Sequence, residues 1–496
     1  MTACRFLLTI LAFVCASAFA NEKPNVLLIC VDDLKPILGC YGDKVVKSPN
    51  VDRLAVRSML FERAYTNQAV CAPSRNSLMT GRRPQHLGIY DLGTNFRKAL
   101  PDAVTLTQYF KQHGYRTEGL GKILHVGHGN KEDPASWSVP HFQIPVVAYS
   151  NPQHRTGEEQ TREEALFANK SPQGLRRGPA YEAADVADNA YPDGKLAEEA
   201  IRRLRSAAEK PEQAFFIAVG FVKPHLPFCA PKKYWDLYDP AVFKLAEQQT
   251  PPEGAPRYAP TTWGELRQYE GIPERGPLSP EVQRTLMHGY YAAISYMDAQ
   301  LGRVLDTLEE TGLAKNTIIV FWGDHGWHLG DHGMWCKHSN YEQANRIPLL
   351  IAAPGVTKSA TRTEALVESV DLYPTLAELA DLPAPQVPQG LDGRSLLPLL
   401  RNPKAASKEA VFHVYPRGRG AGQQWLGRAV RTARYRFVEW KKPGAPADSA
   451  EFELYDYEKD PQETKNIILE QPEVMAQLRA LLAKEPEAKP QLAKAP

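Results

Sequence analysis

The chain lacks a charge excess of either sign: 59 Lys and Arg face 57 Asp and Glu, for a formal net charge of +2. A nucleic-acid footprint needs a basic surplus, so no nucleic-acid partner is expected. No C-x-x-C pair occurs among the seven cysteines, which argues against a structural zinc site. No apolar run reaches the length of a bilayer span, so no stable membrane span is expected. No internal repeat is present either, which sets aside solenoids and propellers. Residues 1–20 read instead as a signal peptide. Arg5 is the positive end, Phe6 to Val14 the short apolar run, and Ala18-Phe19-Ala20 an A-x-A cleavage site. The protein is therefore expected to be exported, to a periplasm or the medium. Cleavage leaves Cys30, Cys40, Cys71, Cys229 and Cys336, whose spacing demands no disulfide.

With 496 residues the chain is too long for one compact core, and two domains are expected: 21–400 and 401–496. Asn25 to Val31 is a nearly continuous apolar run, as in a parallel strand buried on both faces. Phe215 to Phe221 and Thr317 to Trp322 have the same texture. Glu281 to Thr311 keeps apolar spacing over many turns and reads as the longest helix, its tyrosines as packing. The stretch 130–190 is polar and rich in Pro and Gly, and reads as a surface excursion near the mouth of a site. Beyond residue 400 short strands alternate with turns, Pro472 to Leu482 closes as a helix, and a Lys/Ala/Pro tail is expected to be disordered.

Chemistry gathers at strand ends. Asp32 and Asp33 follow the first buried strand, and Asp324 follows a later one. Open α/β sheets place their sites at such carboxyl ends. Three carboxylates brought together repel one another unless a cation lies between them, and an oxygen-rich set suits Ca²⁺ or Mg²⁺. The most specific stretch is Cys71-Ala72-Pro73-Ser74-Arg75-Asn76-Ser77-Leu78-Met79-Thr80-Gly81-Arg82, which reads C-x-P-S-R-x-x-L-x-T-G-R.

That pattern resembles the signature of the formylglycine-dependent sulfatases. The resemblance implies that a formylglycine-generating enzyme oxidises Cys71 to Cα-formylglycine. Its hydrate carries two hydroxyls on one carbon: one attacks sulfur, the other collapses to expel sulfate. The resemblance also implies an alkaline-phosphatase-like α/β sandwich with a mostly parallel central sheet and a smaller C-terminal antiparallel-sheet subdomain. By position it places one calcium ion on Asp32, Asp33, residue 71 and Asp324. His325 stands where most sulfatases have Asn, and is either a further ligand or a hydrogen-bond partner of the site. That histidine, with Gly121-Lys122-Ile123-Leu124-His125, Val222-Lys223-Pro224-His225 and Trp335-Cys336-Lys337-His338-Ser339-Asn340, resembles the iduronate-2-sulfatase branch.

Carried over residue by residue, Lys122 and Lys337 would bind sulfate oxygens and Arg75 would brace the formylglycine. His125 would hydrogen-bond its diol, and His225 would protonate the leaving oxygen. His128, His328, His332 and His338 receive no role beyond pocket lining. The expected substrate is a sulfated oligo- or polysaccharide bearing a 2-O-sulfated uronic acid, whose carboxylate Arg97, Lys98 or His338 could meet. The resemblance leaves two rivals: a phosphonate or phosphodiester hydrolase, and a non-catalytic glycan-binding protein with Cys71 unconverted.

Overall fold

The computed structural model describes residues 23–154, 160–261, 265–418 and 424–493. The leader-like residues 1–20 lie outside them.

The core is one large mixed sheet. Its strands are β1 (Asn25–Val31), β2 (Met59–Tyr65), β3 (Arg116–Gly121), β4 (Phe215–Phe221), β5 (Thr317–Gly323), β6 (Arg346–Ile347), β7 (Leu349–Ala352) and β8 (Thr361–Glu368). The spatial order is β8-β2-β7-β5-β1-β4-β3, with β6 also beside β2. The centre, β5-β1-β4-β3, is parallel throughout. Of these, β5, β1 and β4 have nearly continuous apolar sequence, and residues 26–31 of β1 are fully buried. Between β6 and β7 lies Pro348, whose missing N–H interrupts the ladder. The edge strand β8 was not expected, because its first half, Thr361-Arg362-Thr363-Glu364, carries no large apolar residue.

Helices cover both faces. Helix α1 (Cys71–Thr80) is buried along its whole length. Helix α2 (Arg162–Phe167) lies within the long excursion and is held by a capping box between Thr161 and Glu164. Helix α3 (Pro192–Ala208) packs on α4 (Pro280–Glu310), the 31-residue helix whose apolar face joins the core.

The C-terminal part is a four-stranded antiparallel sheet: β9 (Ala410–Arg417), β10 (Trp425–Thr432), β11 (Tyr435–Lys441) and β12 (Glu451–Asp456). Helix α5 (Pro472–Leu482) packs on it through Leu478, Leu481 and Leu482. The sheet is tied to the catalytic part by Val414 N–H donating to Asn67 O at 3.0 Å and Asn340 Nδ2 donating to Gly427 O at 3.0 Å.

The tail departs from expectation. Residues 485–493 form a strap along the segment that follows α1. Glu485 pairs with Arg83 at 2.9 Å, the Tyr90 hydroxyl donates to Lys489 O at 2.6 Å, and Leu492 N–H donates to Gly88 O at 2.8 Å. Composition favoured disorder; tertiary partners for the tail's backbone and its glutamates override it.

Candidate active site

The site sits at the carboxyl ends of β1, β3, β4 and β5. Asp32 and Asp33 leave β1, and Asp324 leaves β5 in register beside them, its backbone N–H bonded to Val31 O. Asp33 adopts φ of 58°, a left-handed conformation unusual for a residue with a side chain. Tyr290 of α4 secures it: the hydroxyl donates to Asp33 O at 2.5 Å and accepts from Lys35 N–H at 3.1 Å. This tyrosine was expected only to pack.

Cys71 opens helix α1 and so lies at its positive, N-terminal end. Ser74 Oγ donates to Asp324 O at 2.5 Å, and Arg75 crosses to both aspartates. Its Nε lies 3.0 Å from Asp324 Oδ2 and its Nη2 3.3 Å from Asp32 Oδ1, with all three side chains fully buried. Arg75 Nη1 also bonds the Lys122 carbonyl.

Around this pair the other expected residues assemble. Lys122 Nζ pairs with Asp32 and lies 3.8 Å from Cys71 Sγ. His325 Nε2 is 3.4 Å from Cys71 Sγ, 3.4 Å from Asp33 Oδ1 and 3.5 Å from Asp324 Oδ2. Lys337 Nζ is 3.0 Å from both oxygens of Asp33. His225 follows the Val222-Lys223 turn, whose N–H groups donate to Asp193 at 2.9 Å each. His125 stands farther out and makes no bond to Cys71. Its Nε2 faces His128 Nδ1 at 3.1 Å, and Phe167 of α2 packs on both rings and on His225. The excursion thus roofs the site.

The electrostatics follow from burial. Burial pushes the Asp324 carboxyl up, the Asp32 charge adds to it, and it reaches about 6. Burial would raise Asp32 too, but Lys122, His225 and Arg75 hold it well below the usual carboxylate range. The Cys71 thiol is raised by burial and by Asp32, so it stays protonated at neutral pH and is a poor nucleophile as it stands.

One ligand atom each from Asp32, Cys71, Asp324 and His325 lies within 4.8 Å of all the others; Asp32, Asp33, Cys71 and His225 form a second such group. A buried set of carboxylates, one of them forced upward in pKa by another, fits a hard divalent cation.

Several expectations did not hold at the rim. Arg97 is committed to Asp133, at 3.0 and 2.9 Å, and does not reach the site. Lys98 is exposed. His338 Nδ1 is 2.5 Å from the Tyr415 hydroxyl, which draws β9 of the C-terminal sheet to the pocket. His328 and His332 tie loops, to Ser339 Oγ and to Gln462 O, each at 2.8 Å. One acidic residue was missed. Glu265 places Oε1 3.2 Å from His225 Nε2 and Oε2 2.7 Å from Lys337 Nζ. It lies outside every motif quoted above, and no spacing marked it.

The sulfatase family profile matches residues 24–382. The chain belongs to the sulfatase family. It is a sulfuric ester hydrolase by that membership and by its relatives. A second profile, for the C-terminal region of N-sulphoglucosamine sulphohydrolase, matches residues 330–488 and spans the antiparallel sheet. Iduronate 2-sulfatase of Mus musculus is 35% identical over 523 residues, covering 90% of this chain and 91% of that protein. The Homo sapiens protein of the same name is 34% identical with the same coverage. Among solved structures, phosphonate monoester hydrolase of Agrobacterium radiobacter aligns with TM-score 0.73 at 23% identity, over 93% of this sulfatase and 95% of that chain. A protein solved with its substrate D-glucosamine-2-N,6-O-disulfate aligns with TM-score 0.72 at 21% identity, over 93% and 97%. At such identities the likeness is one of fold, the alkaline-phosphatase-like sandwich.

Proposed function

We propose that this sulfatase removes the sulfate ester from a 2-O-sulfated uronic acid at the non-reducing end of a glycan, using a formylglycine made from Cys71 and one calcium ion. One observation carries the substrate reading: the likeness to iduronate 2-sulfatases extends over 90% of the chain. The protonated, buried Cys71 thiol supports the need for conversion. A formylglycine at this position supplies a hydrated carbonyl with two hydroxyls. Calcium held by Asp32, Asp33, Asp324 and His325 supplies positive charge against the sulfate oxygens.

The chain's own residues do the rest. Lys122 and Lys337 flank residue 71 and bind sulfate oxygens as point charges. Arg75 braces Asp32 and Asp324, so neither moves as charge develops at sulfur. His225 has its Nδ1 2.5 Å from Leu226 O, a carbonyl that can only accept, so Nδ1 donates and Nε2 faces the pocket. Burial and Lys122 press this imidazole down, but Asp33 and Glu265 carry it up to about 9, which keeps it a proton donor for the leaving alcohol. His125 and Phe167 pack together on that side. The leader-like residues 1–20 support an exported enzyme that meets its glycan outside the cytoplasm, after a formylglycine-generating enzyme has acted.

The test is sulfate release from 2-O-sulfated uronate, 6-O-sulfated hexosamine and 4-O-sulfated galactoside, with an aryl phosphodiester as the control for a phosphoryl rival. The uronate should lead. Clear preference for another sugar ester would overturn the sugar assignment, and preference for the diester would overturn the sulfate reading.

A further inference from the structure

Glu265 is an anomaly in a pocket built to hold an anion. Its carboxylate bridges His225 Nε2 and Lys337 Nζ, two groups assigned above to the leaving oxygen and to sulfate. An anion there weakens the hold of both on a sulfate monoanion, so sulfate binding alone gives no reason for it. The residue is inside the pocket: its side chain is 15% exposed, and the two groups it touches are 1% and 2% exposed. The leaving-group side therefore carries a carboxylate, whereas Lys122, Lys337 and Arg75 lie around residue 71.

Carboxylates on the alcohol side suit hydroxyl groups. With the leaving oxygen on His225 Nε2, as proposed above, Glu265 Oε1 lies 3.2 Å from the nitrogen that meets it. Gauche oxygens on neighbouring sugar carbons are themselves about one hydrogen-bond length apart, ~2.8 Å. An alcohol seated on His225 thus brings the hydroxyl of its neighbouring carbon within reach of Glu265.

We propose that Glu265 is a specificity-determining residue: it accepts a hydrogen bond from the free hydroxyl next to the sulfated carbon, so the enzyme selects sulfate monoesters of vicinal diols. This rests on the sulfate-ester reading above and deepens it. In a 2-O-sulfated uronate the hydroxyl concerned is the one at C3.

The test is a cycle between enzyme and substrate. Wild type, Glu265→Ala and Glu265→Gln are each assayed with the methyl glycoside of a 2-O-sulfated uronate and with its 3-deoxy counterpart. In the wild type kcat/KM should favour the hydroxylated ester by about 10- to 100-fold, as for a hydrogen bond to a charged group. In Glu265→Ala the ratio should collapse towards one, whatever loss the variant shows on both esters. Glu265→Gln keeps the shape and a neutral acceptor, so its ratio should fall several-fold even if the alanine variant folds poorly. A ratio unchanged in Glu265→Gln overturns the assignment, because a merely structural role would lower both esters equally. If the wild type releases sulfate from neither ester yet cleaves an aryl phosphodiester, it is the sulfate reading itself that fails.

Discussion

Replacing Arg75 with methionine should destabilise the metal-free protein by about 3–5 kcal/mol, the usual range for stripping one partner from a buried ion pair. Arg75, Asp32 and Asp324 are all fully buried, and the guanidinium reaches the two carboxylates at 3.3 and 3.0 Å. At those separations each contact is worth about 5 kcal/mol at an effective dielectric of ~20, before desolvation takes most of it back. Methionine fills much of the volume, so the loss is electrostatic: two carboxylates are left facing each other. Asp324, already raised to about 6 by burial and by Asp32, should take up a proton more readily still. A divalent cation in the same cluster would replace part of the missing charge, so the deficit should shrink in calcium, as ligand linkage requires. The assay is denaturant unfolding of wild type and Arg75→Met, in chelator and in calcium, followed by sulfate release. A variant within about 1 kcal/mol of wild type in chelator, or with an equal deficit in both buffers, would refute the reasoning.

Other outcomes follow from the same geometry. Cys71→Ser should take sulfate from substrate and stall, since a single hydroxyl offers no second oxygen to expel it; intact-mass analysis should show the adduct, and steady turnover would contradict the role of residue 71. Chelation should abolish activity, and calcium should restore it better than zinc, because carboxylates dominate the cluster; full activity in a protein shown to be metal-free counts against the cation. Burial would raise Glu342, but Arg431 holds its carboxyl at about 2 against an ordinary 4.5. Its contribution of about 3 kcal/mol is therefore complete above pH 4.5 and lost as pH falls through about 2. Urea unfolding between pH 5 and pH 3 should fall more steeply for wild type than for Glu342→Gln, and parallel slopes would remove this pair from the account.

Local signals carried much of the candidate site. The apolar runs of β1, β4 and β5 could only be buried parallel strands, so Asp32, Asp33 and Asp324 had to emerge at one end of a sheet. The Cys71 signature carried the family resemblance because many residue types recur there at set spacing. What sequence could not supply was anything whose meaning depends on a partner far along the chain. Glu265 is an ordinary acid in a loop until folding brings it to His225 and Lys337. Tyr290 is one aromatic among several on α4 until its hydroxyl meets Asp33. Arg97 looked available, and the fold gave it to Asp133. The tail looked disordered, and the fold gave it a groove beside Arg83 and Tyr90. Periodicity and motif spacing are short-range properties that a chain displays in its order of residues. Which buried charge is neutralised by which other is a long-range one, decided when the sheet, its roof and the C-terminal strap close on the same site.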